Sequence, residues 1–189
     1  MPQAFKKRYH QLLKTDIRDL IGEDFYFQDN PTLRMQTPHI SSKSLFPLYH
    51  SDIQLGHPPY EINLWVPLNP PSKTEGYGFS ISPLEDSLEI FRKYDLDTAK
   101  ISGDQKKITE YLNPISDLLN FDYGQTILLD PRRFHSAQPL ENHTRVSMDV
   151  RIVPVKEFHK FGHCYQGSGR KRVQFRPGDA YNLKSIDNI

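Results

Sequence analysis

The chain has a single cysteine, Cys164, in 189 residues, which excludes an internal disulfide. It also lacks any excess of charge of one sign. Lys and Arg number 24 against 23 Asp and Glu, a formal net charge of +1, so nothing pulls the molecule as a whole toward nucleic acid or a membrane surface. No stretch approaches the roughly 20 consecutive apolar residues that cross a bilayer, and the first residues, Met1 to Arg8, lead into no apolar run of signal-peptide length. The expectation is a cytoplasmic protein. Internal repeats and low-complexity tracts are absent as well.

What is present fits one domain over residues 1–189, a length that supports a substantial core. Phe5, Tyr9, Leu12, Leu13, Ile17, Leu20 and Ile21 recur at helical spacing before Gly22, which predicts an N-terminal packing helix within about residues 1–24. Thr32 to Thr37 alternates like a strand. Residues 61–68 form a second patterned strand with Glu61, Asn63 and Trp65 on one face. Ser82-Pro-Leu-Glu85 has a capping-box pattern and predicts a helix to about Tyr94. A further helical stretch over 104–119 should end or kink at Asn113-Pro114, and 125–129 reads as a buried strand. Short strands between turn residues, with helices before and among them, favour a mainly β fold with flanking helices, a sandwich or jelly roll, over a βαβ arrangement.

The chemistry-bearing residues are split along the chain. His50 and Asp52 stand two apart in Leu48-Tyr-His-Ser-Asp52, so on a strand both face one way while Ser51 faces the other. His135 follows the turn at Asp130-Pro131. Two imidazoles and one carboxylate are the ligand set of a non-haem Fe(II) oxygenase, which leaves three adjacent metal positions open. Beyond His135, residues 144–153 alternate. Val146, Met148, Val150 and Ile152 read as core, whereas Arg145, Ser147, Asp149 and Arg151 would line a polar pocket where a guanidinium can hold a carboxylate in bidentate fashion.

His-Ser-Asp, the distal His135 and Arg145 ten positions on resemble the Fe(II)- and 2-oxoglutarate-dependent dioxygenases. Within them the chain looks most like the branch of phytanoyl-CoA hydroxylase and the streptomycin-type biosynthetic dioxygenases. Gln28 to Arg34, Tyr60 to Leu68 and the Thr144 to Arg151 run add to the resemblance, which covers roughly residues 25–155. It implies a cupin-like double-stranded β-helix and Fe(II) held by His50, Asp52 and His135. It further implies 2-oxoglutarate held by Arg145 with Ser147, and O₂ with a small-molecule substrate. The reaction implied is hydroxylation or another oxidation of a C–H bond, since halogenating relatives lack the carboxylate that Asp52 supplies. Asn63 is a weaker candidate for touching the cosubstrate. The chain is small for such a family, so an active-site lid is expected to be short or to come from a neighbouring subunit, and a homo-oligomer is compatible with this.

Alternatives stand beside several of these readings. Arg151 competes with Arg145 for the cosubstrate, six residues and roughly 20 Å further along the strand, where it could instead pair with Asp149 or reach substrate. His57 reads as a loop residue or a neighbour of the metal ligands, and His10 and His143 as ordinary. His159 and His163 have a metal-binding spacing but no evident helix. The aromatic and basic segment 155–189 reads as an extension over a sheet edge, with a substrate flap as the functional alternative. Glu61, Asn63, Arg34 and Gln36 suggest a hydroxyl- or amine-bearing substrate such as a sugar, an amino acid or a natural-product intermediate. A cupin-like metal-dependent isomerase or epimerase and a non-enzymatic carbohydrate-binding jelly roll are the competing classes.

Overall fold

The computed structural model describes residues 2–38, 49–138, 140–161 and Ile186. The N-terminal helical run forms as the apolar spacing predicts, as α1 (Gln3–Leu12) and α2 (Arg18–Ile21) joined by a π-helical turn at Leu13–Ile17. Gly22 ends it at φ 74°, a left-handed conformation that glycine adopts without penalty. The π turn underwinds the helix, so Tyr9, Leu13 and Ile17 are buried while Leu20 is 65% exposed, contrary to its place in the predicted stripe.

That stripe packs on a five-stranded antiparallel sheet. Its central strand is β8 (Arg145–Pro154), flanked on one side by β1 (Phe25–Phe27) and β2 (Thr32–Gln36), and on the other by β3 (Ile62–Pro67) and then β6 (Ile127–Leu129). Met148, Val150 and Ile152 meet Phe25, Phe27, Leu64 and the helix, and Ile186 joins this cluster. The opposite face of β8 carries Arg145, Ser147, Asp149 and Arg151, all buried. Three further strands, β4 (Phe79–Ile81), β5 (Asp117–Leu118) and β7 (His135–Ala137), form a second antiparallel sheet in the order β5-β4-β7. Trp65 on β3 packs with Tyr77, Phe79 and Leu129, bringing the second sheet over the polar side of the first. Antiparallel sheets with flanking helices agree with the expected class.

A helical layer backs the turn that carries His50 and Asp52. It comprises α3 (Leu84–Lys93), α4 (Thr98–Gly103) and α5 (Gln105–Leu112), whose Ile90, Phe91, Ile101, Ile108 and Leu112 enclose Tyr49, Ile53 and Phe134. The capping box predicted at Ser82 is not formed. Pro83 occupies the N-cap position, and the Ser82 hydroxyl pairs instead with Ser87 Oγ at 2.6 Å and Phe134 O at 2.9 Å. α4 was not predicted; Asp97 caps it by accepting from the Ala99 and Lys100 amides. The helix expected over 104–119 stops at Leu112, and Asn113–Ile115 closes as a 3₁₀ turn that leads into β5. Proline at 114 removes the amide that continuation needs.

The chain after β8 enters α6 (Val155–Phe161), where Phe158 meets Tyr26 edge-on at 5.2 Å. His159 is therefore helical, while His163, Cys164 and the Gly167 to Arg172 stretch lie outside the described residues. No helix among the described residues is long and apolar enough to cross a membrane.

Candidate metal centre

His50 and Asp52 do not lie on one extended strand as their spacing suggested. His50 makes a single bridge to His135, its amide donating to His135 O at 3.0 Å and its carbonyl accepting from the His135 amide at 2.9 Å. Asp52 already has helical angles (φ −64°, ψ −31°) and opens a 3₁₀ turn, Ile53–Leu55. Turn geometry therefore does the work assigned to strand alternation. Ser51 does face away, donating to Pro131 O at 2.7 Å, and Gln105 fixes the segment through Tyr49 O at 2.6 Å.

The result is one cluster. Donor atoms of His50, Asp52 and His135 all lie within 4.8 Å of one another, with the two imidazole centroids 4.5 Å apart. Cis ligands of one metal at about 2.1 Å stand about 3 Å apart, so modest side-chain rotation closes the gap. Phe79 stacks on the His135 ring at 5.6 Å, and His135 Nδ1 sits 3.2 Å from Arg133 O, which leaves Nε2 facing Asp52. His50 Nδ1 is buried and has no hydrogen-bond partner among the described residues.

Electrostatics set the protonation that a metal needs. Burial, helped by His135, drives His50 down to about 3 against the pull of Asp52, and burial also lowers His135, with Asp52 opposing. Both imidazoles are neutral at pH 7. Burial alone would raise the Asp52 carboxyl, but Arg151, His135 and His57 together hold it well below the usual carboxylate range. Two neutral nitrogens and a carboxylate are a fitting donor set for a divalent first-row ion.

Around Asp52 the structure shows a network that the sequence did not reveal. Arg151 is paired with Asp52, not with Asp149; its Nη1 reaches Asp52 Oδ2 and lies 3.4 Å from Glu61 Oε1. Asp149 is paired with Arg34 instead. Asn63, expected near a cosubstrate, donates to Asp52 Oδ2 at 3.2 Å. His57 is buried, with Nδ1 2.7 Å from Glu61 Oε1. The available signal was the shared face of Glu61 and Asn63, opposite Arg151 in register with Asn63.

Arg145 sits at the other end of that face. Its guanidinium donates to Tyr77 O, Gln36 Oε1, Gln138 O and Ala137 O, all uncharged oxygens. Burial lowers it to about 10, with Asp149 opposing, so it remains a cation at pH 7. Ser147 lies buried between Arg145 and Asp149 on the same face. Glu61 and Asn63 are buried and Arg34 and Gln36 only partly so, and each is turned to a protein partner.

No family model and no curated protein matches this chain. Among solved structures it is similar to ThoJ, a non-heme monooxygenase, in its apo form, at 13% identity and a TM-score of 0.48 over 75% of this chain and 51% of that one. It is also similar to SnoN, a non-heme alpha ketoglutarate dependent epimerase from nogalamycin biosynthesis, at 11% identity and a TM-score of 0.48 over 89% and 66%. The ThoJ nickel complex gives 11% and 0.44. The chain thus spans about half the length of ThoJ and just under two thirds of SnoN. What the site can do is set by its own residues.

Proposed function

We propose that the protein is an Fe(II)- and 2-oxoglutarate-dependent oxygenase that oxidises a C–H bond of a small polar metabolite, such as a sugar, an amino acid or a natural-product intermediate. The observation that carries this reading is the cluster itself: His50 and Asp52 from one turn and His135 from a distant strand converge with both imidazoles neutral and the carboxylate ionised. In this reading residues 1–189 act as one catalytic unit, and the two sheets are layers of a double-stranded β-helix of the phytanoyl-CoA hydroxylase type.

Iron with its cosubstrate would supply the activation of O₂ that side chains cannot. The protein's part is to bind and orient. His50 and His135 present neutral nitrogens, and Asp52 supplies the single anionic ligand, which leaves no vacancy for a halide. Arg145 anchors the far carboxylate of 2-oxoglutarate, with Ser147 beside it. What supports Arg145 over Arg151 is charge: the four partners of Arg145 are neutral oxygens, whereas Arg151 is already committed to Asp52 and Glu61. A dicarboxylate entering beside Arg145 exchanges neutral acceptors for a charge-assisted pair.

Anaerobic addition of Fe(II) and then 2-oxoglutarate tests the reading. A weak visible charge-transfer band is expected, followed, on aeration with a panel of amino sugars, nucleosides and amino acids present, by succinate release and a product one oxygen heavier or two hydrogens lighter than one of them. No band, a chlorinated product, or turnover unchanged without O₂ would count against it.

A further inference from the structure

Four residues close a circuit around the carboxylate of the candidate metal centre. The Asp52 carbonyl accepts from the His57 amide at 3.1 Å; His57 Nδ1 lies 2.7 Å from Glu61 Oε1; Glu61 Oε1 lies 3.4 Å from Arg151 Nη1; and Arg151 Nη1 returns to Asp52 Oδ2. Every member is buried: Asp52 and Glu61 are each 1% exposed, His57 5% and Arg151 8%. The circuit treats the two oxygens of Asp52 unequally. Oδ2 takes the close Arg151 contact and the Asn63 amide at 3.2 Å, whereas Oδ1 faces His135 Nε2 at 3.9 Å and, among the described residues, has the longer Arg151 Nη2 contact, 3.4 Å.

We infer that Arg151 is a positioning residue that restricts Asp52 to one metal-binding oxygen, Oδ1, with Glu61 and His57 holding the guanidinium in place from behind. The inference rests on the metal reading above and goes beyond it by assigning work to three residues that touch no metal. A carboxylate whose second oxygen is occupied by fixed donors cannot swing onto the ion as a bidentate ligand. The coordination position so protected stays open for exogenous ligands. Lysine would substitute only in part, because one nitrogen on a flexible stem cannot fix the plane of the Asp52 carboxylate as the two-nitrogen fork does, with Nη1 on Oδ2 and Nη2 3.4 Å from Oδ1.

Mn(II), titrated into the intact chain and followed by water-proton relaxation, reads the consequence directly and without turnover. Three protein ligands with one donor atom each leave about three inner-sphere waters on a six-coordinate ion. In Arg151→Met, Oδ2 is left with the 3.2 Å Asn63 contact, which a joining metal outcompetes, and it displaces one water, so the relaxivity of the bound ion should fall by about one third. Arg151→Lys keeps a buried cation for folding and should shift the same way with smaller amplitude, so it decides the matter if Arg151→Met does not fold. Wild-type relaxivity in a folded variant overturns the role. So does a rise, which would mean that Asp52 had left the ion. Failure of Mn(II) to bind the wild-type chain overturns the metal reading and this inference together, whereas normal wild-type binding with unchanged variants overturns this inference alone.

Discussion

Arg145 and Arg151 stand on the same face of one strand, and their surroundings differ in kind. Arg151 is enclosed with two carboxylates, Asp52 and Glu61, which raise its pKa above the ordinary arginine value although burial works against the charge. Arg145 is enclosed with carbonyl and amide oxygens, and burial lowers its pKa. The first arginine is spent on the protein's own anions, so its removal strands charge inside the fold. The second keeps a net charge that a ligand can use. One strand thus carries, on one face, a cation committed to internal carboxylates and another whose partners are neutral oxygens.

The largest effect should come from the cluster at the Arg151 end. Replacing His50, Asp52 or His135 by alanine should abolish stoichiometric metal binding in calorimetric titration, and retention of near-wild-type affinity in any of them would break the site assignment. Asp52→Ala carries a second cost, since it removes the closer of the two carboxylates that pair with the buried Arg151. Breaking a buried ion pair by removing one side costs about 3–5 kcal/mol, so this variant should unfold at clearly lower denaturant than His135→Ala.

Next in size is the contrast between the arginines. Arg145→Ala should weaken 2-oxoglutarate binding on the order of 100-fold or more, while metal affinity changes little, because the lost partner is a buried charged donor. Arg151→Ala should weaken 2-oxoglutarate far less and destabilise the fold more. The opposite pattern would transfer the anchoring role to Arg151.

A smaller and graded effect is expected from acid in the metal-free protein. Above pH 6.5 the His50 ring is neutral whether folded or not, so its contribution is fully present. Below 6.5 the unfolded ring takes up a proton that the native ring refuses until about 3, so stability falls across that window. The slope contributed by one such group is about 1.4 kcal/mol per pH unit. Asp52 works in the same direction near the bottom of the window, because its native carboxyl stays ionised below the ordinary 3.8. Denaturant midpoints that are flat from pH 6.5 to 4 would contradict this placement of His50.

The smallest effect should come from outside both ends. Asp97→Ala removes the side-chain cap of α4 and should lower the melting temperature by about 3 °C without altering metal or 2-oxoglutarate affinity. A change in metal affinity would show that the helical layer behind Tyr49 and Ile53 tunes the site.

Periodicity alone determined a good part of this protein. The run from Gln3 to Ile21, the strands at 32–36 and 62–67 and both faces of β8 follow from spacing, because burial of one face imposes a repeat that composition records. His50, Asp52 and His135 were legible as residue types at a distance. Their mutual approach was not, since it depends on a single bridge between His50 and His135 and on a turn at Asp52, neither of which leaves a repeat. The role of Arg151 was likewise decided only in three dimensions. Alternation places Arg145 and Arg151 on the same face without distinction. The turn at 52–57 comes to rest over one end of that face and brings Asp52 against Arg151, which Glu61 also reaches from the start of the neighbouring strand. A charge finds its partner through space, and sequence spacing along one strand carries no record of what another segment lays across it.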